Sequence, residues 1–226
     1  MGAKKLFMVS LGSGDPQLLT IKGLKALQTA DVICVPTKSE DGSFKRSLTH
    51  KIIQQLFKEH KFEKPLVPVY SPMRFDPEDW KAEADVIMKA FKTYQKVAFV
   101  TLGDSAIYSS VYYILGFIKQ TDASLYHDSE VIPGITSFSD ASARVKKPLC
   151  LGDSALEIKP LLDYEVPKTT IYMRPKIGLE GSSIPQNGEM LTFENLNFKD
   201  EKIHPKKIDK VKKYMTLFID FFVRGI

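Results

Sequence analysis

Three short stretches of this chain join glycine to a lone acid or hydroxyl: LGSGDP at 11–16, TLGDSAIY at 101–108 and IPGITSFS at 132–139. Each follows an apolar run and precedes a helical pattern, so each reads as a loop leaving the end of a strand. Glycine in such a loop lets the backbone come close to a ligand. In open α/β sheets that is where ligands sit, beyond the carboxyl ends of the strands. A tight turn is the plainer reading of any one loop, and three of them strain it. The acids Asp15 and Asp104 narrow the chemistry. GSGDP has neither the Gly-Lys-Ser/Thr ending of a phosphate loop nor the GxGxxG spacing of a dinucleotide fold. A carboxylate beside a phosphate costs about 1–4 kcal/mol of repulsion near a surface. A positively charged ligand with hydroxyl donors and no phosphate suits the acids better, and S-adenosylmethionine has that character. Asp104 is also placed to cap a helix beginning at Ser105, and the two roles are compatible.

The elements that must hold these loops follow from periodicity. Residues 5–11 read as a strand, 17–29 as an amphipathic helix and 31–36 as a second strand, which makes a parallel β-loop-α-β unit. A helix at 48–60 leads to a proline-bearing strand at 65–72, whose Pro68 suits an edge position. Asp76 and Pro77 open a helix over 76–94. A strand at 96–102 and a helix at 105–119 follow. The polar run QTDASLYHDS (120–129) marks a boundary between domains spanning 1–120 and 121–226. Beyond it come a short strand and helix within 130–145, then strands at 169–175, 190–196 and 213–223.

Composition excludes several classes. No apolar run approaches the roughly 18 residues that cross a bilayer. The six-residue apolar stretch after Lys4 and Lys5 is too short for a signal peptide, so a cytoplasmic protein is expected. Cys34 and Cys150 both lie in apolar contexts and read as buried, reduced thiols. Four histidines without ligand spacing give no expectation of a protein-bound metal. The net charge of +5 gathers in HPKKIDKVKK (204–213), a solvated face or a field for an anionic ligand. Without aromatic residues interleaved among the lysines, nucleic acid is not expected as a partner.

At this point the motifs match a known pattern. VSLGSGDPQLLTIKGLKALQTADVI (9–33), TLGDSAIYSS (101–110), VIPGITSFSDASARVKKPL (131–149) and FENLNFKDEKI (193–203) resemble, in order, segments of the tetrapyrrole (corrin/porphyrin) methylases. The stretches at 35–52 and 71–80 are most similar to the branch that methylates C-20 of precorrin-2 or cobalt-factor II. The resemblance implies an α/β fold of two αβα domains with an active-site cleft between them, a homodimer, and S-adenosylmethionine as methyl donor. It implies cofactor contacts at Leu102, Gly103, Asp104, Ile107, Thr136, Ser137, Met173 and Leu196. Cobalt would arrive only inside the tetrapyrrole substrate.

Two positions depart from the family motif. Ser13 and Ser105 stand where prolines are usual, which removes a fixed φ from each loop. No catalytic base is assigned. Asp15 and Tyr108 are candidates by position alone; position favours a substrate contact or a helix cap over a base for Asp15, and suits Tyr108 to packing as well as to substrate. Lys38, Arg74 and Arg144 are candidates for the substrate's carboxylates. A sister methylase acting at another ring position, or a non-catalytic binding module of the same fold, remains the alternative.

Overall fold

Lys5–Ser10 form β1, whose residues after Lys5 are almost wholly buried. Buried neighbours surround that strand because later segments close on both its sides. The computed structural model describes residues 4–160 and 166–222. Contacts divide the chain into two units, one up to Leu156 and one from Glu157.

The first unit contains β2 (Val32–Thr37), β3 (Leu66–Tyr70), β4 (Lys96–Thr101) and β5 (Glu130–Ile132), in the order β3-β2-β4-β1-β5. Every pairing is parallel. Parallel strands need crossovers, supplied here by α1 (Ile21–Thr29), α2 (Leu48–His60), α3 (Pro77–Ala90), α4 (Val111–Thr121) and α5 (Ala123–His127). Alternate strand residues face opposite layers. Phe7, Val9, Ile33, Val35 and Val100 meet Ala26, Leu27, Ile53 and Leu56 of α1 and α2. Leu6, Met8, Cys34, Val97 and Phe99 meet Trp80, Ile87, Ile114 and Ile118 of α3 and α4. The result is three layers, helices on both faces of one sheet. Each fully buried Leu, Ile or Phe contributes roughly 1.5–3 kcal/mol.

Proline explains one edge. Pro68 has no N–H to offer a further strand, and β3 ends the sheet. Pro36, in the inner strand β2, lies beyond Cys34, where pairing to β4 stops.

Several boundaries differ from the sequence expectation, each for a local reason. The helix expected over 17–29 divides at Thr20, whose hydroxyl accepts from Gly23 N–H and starts α1, while Pro16–Leu18 form a separate 3-10 turn. The helix expected from Ser105 begins only at Val111, because Tyr108 takes a left-handed φ of 49°. The polar run at 120–129 holds α5, and β5 after it hydrogen-bonds to β1. The contact boundary accordingly falls after Leu156, not after residue 120. Cys34 is buried as expected, but Cys150 is exposed.

The second unit carries β6 (Thr170–Tyr172), β7 (Glu189–Glu194), β8 (Lys202–His204) and β9 (Thr216–Phe221), ordered β6-β9-β7-β8 and antiparallel throughout. Ile184, Met190, Val211 and Phe218 form its core. Among its described residues the only helical turn is a 3-10 turn at Gly181–Ser183. The lysine-rich stretch 204–213 begins at His204, the last residue of β8, and runs on as loop, anchored by the buried Val211.

Candidate active site

The strand order turns three separate loops into neighbours. β4, β1 and β5 are adjacent, so 101–108, 11–16 and 132–139 all leave the same end of the sheet side by side. Chain connections from β1 run toward the α1 face and those from β4 toward the α4 face. A crevice opens where adjacent strands send their chains to opposite faces, and it is the usual ligand position in such sheets.

Glycine makes the junction possible. Gly12 and Gly103 exchange two backbone hydrogen bonds, Gly12 N–H to Gly103 O at 3.1 Å and Gly103 N–H to Gly12 O at 2.7 Å. Both have φ near +80°, a conformation costly for residues with a Cβ. Gly134 sits on top of this pair. A Cβ built there would lie 2.6 Å from Gly103 O, 2.8 Å from Ser10 Cβ and 3.2 Å from Gly12 N, so one atom links all three loops.

Side chains complete the knot. Ser10, fully buried at the end of β1, accepts from Ser105 N–H through Oγ at 2.9 Å. That bond exists because residue 105 is not proline. Asp104 does not cap a helix at Ser105. Its Oδ1 accepts from Ala106 N–H at 3.1 Å and, more weakly, from Gly134 N–H at 3.4 Å, joining loop 101–108 to loop 132–139. Among the described residues no hydrogen bond reaches its Oδ2. The Tyr112 phenol is raised above its ordinary range by burial, with the Asp104 charge adding to the effect.

Asp15 caps the 3-10 turn, accepting from Gln17 N–H at 2.9 Å. Thr136 caps α6 (Ser137–Val145) by accepting from Ser139 N–H. Ser13 Oγ donates to Asp140 Oδ2 at 2.8 Å. The Arg144 guanidinium and that hydroxyl hold the Asp140 carboxyl below the usual carboxylate range.

Six of the eight expected cofactor contacts thus lie together at this end of the first unit: Leu102, Gly103, Asp104, Ile107, Thr136 and Ser137. Leu102 is 43% exposed. Met173 and Leu196 belong to the second unit, just after β6 and just after β7. Met173 is 71% exposed and Leu196 half-buried, so neither is a plain core residue. Of the candidates for substrate carboxylates, Arg74 is bound to Asp79 by two hydrogen bonds of 3.0 and 2.8 Å, and Arg144 is likewise held by Asp140. Lys38 is exposed in the loop after β2. Tyr108 is 70% exposed. Sequence reasoning passed over Ser10 and Asp140. The signal for Ser10 was a hydroxyl ending an otherwise apolar strand, while that for Asp140 depended on which loop lies opposite α6.

Comparison with known proteins agrees with this geometry. Residues 5–176 match the pattern of the Tetrapyrrole (Corrin/Porphyrin) Methylases. The chain is 28% identical over 216 residues to the "Probable cobalt-precorrin-2 C(20)-methyltransferase" of Methanocaldococcus jannaschii, covering 92% of this chain and 90% of that protein. It is 31% identical over 176 residues to the cobalt-precorrin-4 C(11)-methyltransferase of the same organism, covering 76% of this chain and 54% of that one. A crystal structure of a cobalamin synthesis related protein (CobF) from Corynebacterium diphtheriae shares the fold at a TM-score of 0.53 and 16% identity, across 96% of this chain and 98% of that one. With three glycine loops knotted at one crevice and the family pattern running through all of them, the chain belongs to the tetrapyrrole methylases.

Proposed function

We propose that this chain transfers a methyl group from S-adenosylmethionine to C-20 of precorrin-2 or cobalt-factor II, on the route to the corrin ring of cobalamin. The observation that carries the reading is the Asp104 carboxylate held among three glycine loops at the crevice between β4 and β1. Its Oδ1 is taken by backbone N–H groups, and its Oδ2 suits a ligand's hydroxyl donors. Gly12 and Gly103 let backbone carbonyls and amides approach the ligand, and Leu102 offers an apolar contact. These residues fit a cationic, phosphate-free methyl donor. Ile107, Thr136 and Ser137 complete its contacts on the same side, and Met173 and Leu196 are proposed as further contacts by the resemblance that named them.

When bound, the donor supplies an electrophilic methyl on a sulfonium, with a neutral thioether as leaving group. The chain's own work is positioning. Holding the two reactants in line can remove several kcal/mol of the barrier without a strong acid or nucleophile from the protein. A proton must leave the methylated carbon, and no residue is assigned to take it. Cobalt, where present, belongs to the substrate. A homodimer is proposed on the same resemblance.

The C-20 position is favoured by the relative of that name, matched over 90% of its length. The C(11) relative, at 31% identity, keeps a sister reaction as the second reading. Incubation with methyl-labelled S-adenosylmethionine and precorrin-2, metal-free and cobalt-loaded, tests both. A new methyl located by NMR at C-20 supports the proposal. Label at another carbon, or transfer only when a precorrin-4 is supplied instead, favours the sister reaction, and binding without transfer to either substrate favours a non-catalytic module.

A further inference from the structure

Helix α6 buries none of its nine residues, so a buried apolar face does not fix its direction. The tie between this helix and the loop after β1 is polar. Ser13 Oγ donates to Asp140 Oδ2 at 2.8 Å. Arg144, one turn further along α6, donates to the same carboxylate from Nε at 2.8 Å and Nη2 at 3.3 Å. Asp15, two residues after Ser13, adds its charge to the field at Arg144. Loop and helix therefore share one carboxylate, with a hydroxyl on one side and a guanidinium on the other.

We infer that Ser13, Asp140 and Arg144 form a clamp that fixes the start of α6, Thr136 and Ser137, against the glycine loop of β1 and thereby sets affinity for the methyl donor. These are positioning residues. The inference rests on the methyl-donor reading of the three loops. It also gives a meaning to serine at 13. A proline there would stiffen its loop alone, through a fixed φ. A serine leaves the loop freer and couples its order to the docking of α6, because its hydroxyl needs Asp140 as a partner. The first and third loops then become ordered together.

Titration calorimetry with S-adenosylhomocysteine tests the clamp in the full chain and in the variants Ser13→Ala, Ser13→Thr, Asp140→Ala and Ser13→Ala/Asp140→Ala. Losing one partly exposed hydrogen bond predicts that Kd rises about five- to tenfold in Ser13→Ala. Ser13→Thr, which keeps the hydroxyl, restores most of the affinity. The double variant binds no more weakly than Asp140→Ala alone, since both changes remove the same bond. Ligand-free melting temperatures of the single variants stay within about 2 °C of the parent, as expected where no buried group is lost. Parental affinity in Ser13→Ala, fully additive losses in the double variant, or a fall in melting temperature that Ser13→Thr does not restore would each overturn the clamp and leave the methyl-donor reading intact. A parent chain that takes up no S-adenosylhomocysteine would overturn both.

Discussion

Replacing Gly134 by alanine adds one methyl group to the point where all three loops meet. The new Cβ would stand 2.6 Å from Gly103 O, 2.8 Å from Ser10 Cβ and 3.2 Å from Gly12 N. Carbon atoms in good contact sit about 3.5–4.0 Å apart, so the first two neighbours must retreat by close to an ångström. Neither can do so freely. Gly103 O accepts the Gly12 N–H, and Ser10 Oγ accepts the Ser105 N–H. Overpacking of this kind costs roughly 1–3 kcal/mol, and a broken backbone bond about 1 more. For a unit of this size the sum lowers the melting temperature by about 5–15 °C. Scanning calorimetry reads that fall, and titration with S-adenosylhomocysteine reads a loss of binding larger than the loss of stability explains. Gly103→Ala is the internal comparison. Its Cβ meets nothing within 4 Å, and only the φ of 78° opposes it, so the cost is about 1–2 kcal/mol. If Gly134→Ala melts and binds like the parent, the three loops do not converge as described, and the site built from them falls.

Asp104→Ala should weaken S-adenosylhomocysteine at least tenfold by calorimetry, and unchanged affinity would remove the carboxylate from the site. Ser10→Ala leaves the buried Ser105 N–H without its acceptor, at about 1–3 kcal/mol in urea unfolding; a cost below about 0.5 kcal/mol would mean the amide finds another partner. Glu83, almost fully buried on α3 with Oε2 unpartnered, has its carboxyl pushed up to about 7 by burial. Its unfolded counterpart ionises near 4.5, so the folded state binds the extra proton between those values. This contribution is full below about pH 4.5 and is lost as pH rises to about 7. Glu83→Gln should therefore stabilise the protein at pH 8 by up to about 3 kcal/mol and change little at pH 5, whereas an equal effect at both pH values would contradict a buried, neutral carboxyl. Burial pushes the Cys34 thiol up to about 12. A thiolate-selective reagent should label the exposed Cys150 promptly in the native chain and Cys34 only on unfolding.

The sequence made the first unit's strands and most of its helices readable, because apolar runs of strand length alternate with amphipathic ones. α2, Leu48–His60, spans the 48–60 expected of it. Strand order was not readable. That β5 lies beside β1, rather than beginning a new domain, depends on hydrogen bonds between Phe7–Val9 and Glu130–Ile132, more than 120 residues away. The onset of α4 was missed because Tyr108 adopts a left-handed φ that its residue type does not announce. β8 has three residues, too few for alternation to register. At the site, the glycines and Asp104 stood out by type, whereas Ser13 and Ser105 stood out only as departures from the family motif and Ser10 not at all. Ser10, Ser13 and Ser105 are ordinary in composition and take their meaning from partners on distant loops.

The placement of β1 bears on how the chain assembles during synthesis. Lys5–Ser10 pairs on one side with Lys96–Thr101, ninety-one positions later, and on the other with a segment that emerges later still. At roughly 5–20 residues per second, a ribosome leaves this oily hexapeptide without either neighbour for about 5–20 s. A nascent chain in that interval carries an open strand edge, suited to chaperone capture or to sticking to other chains. The three glycine loops, joined only after both partners arrive, would be among the last parts of the sheet to take shape.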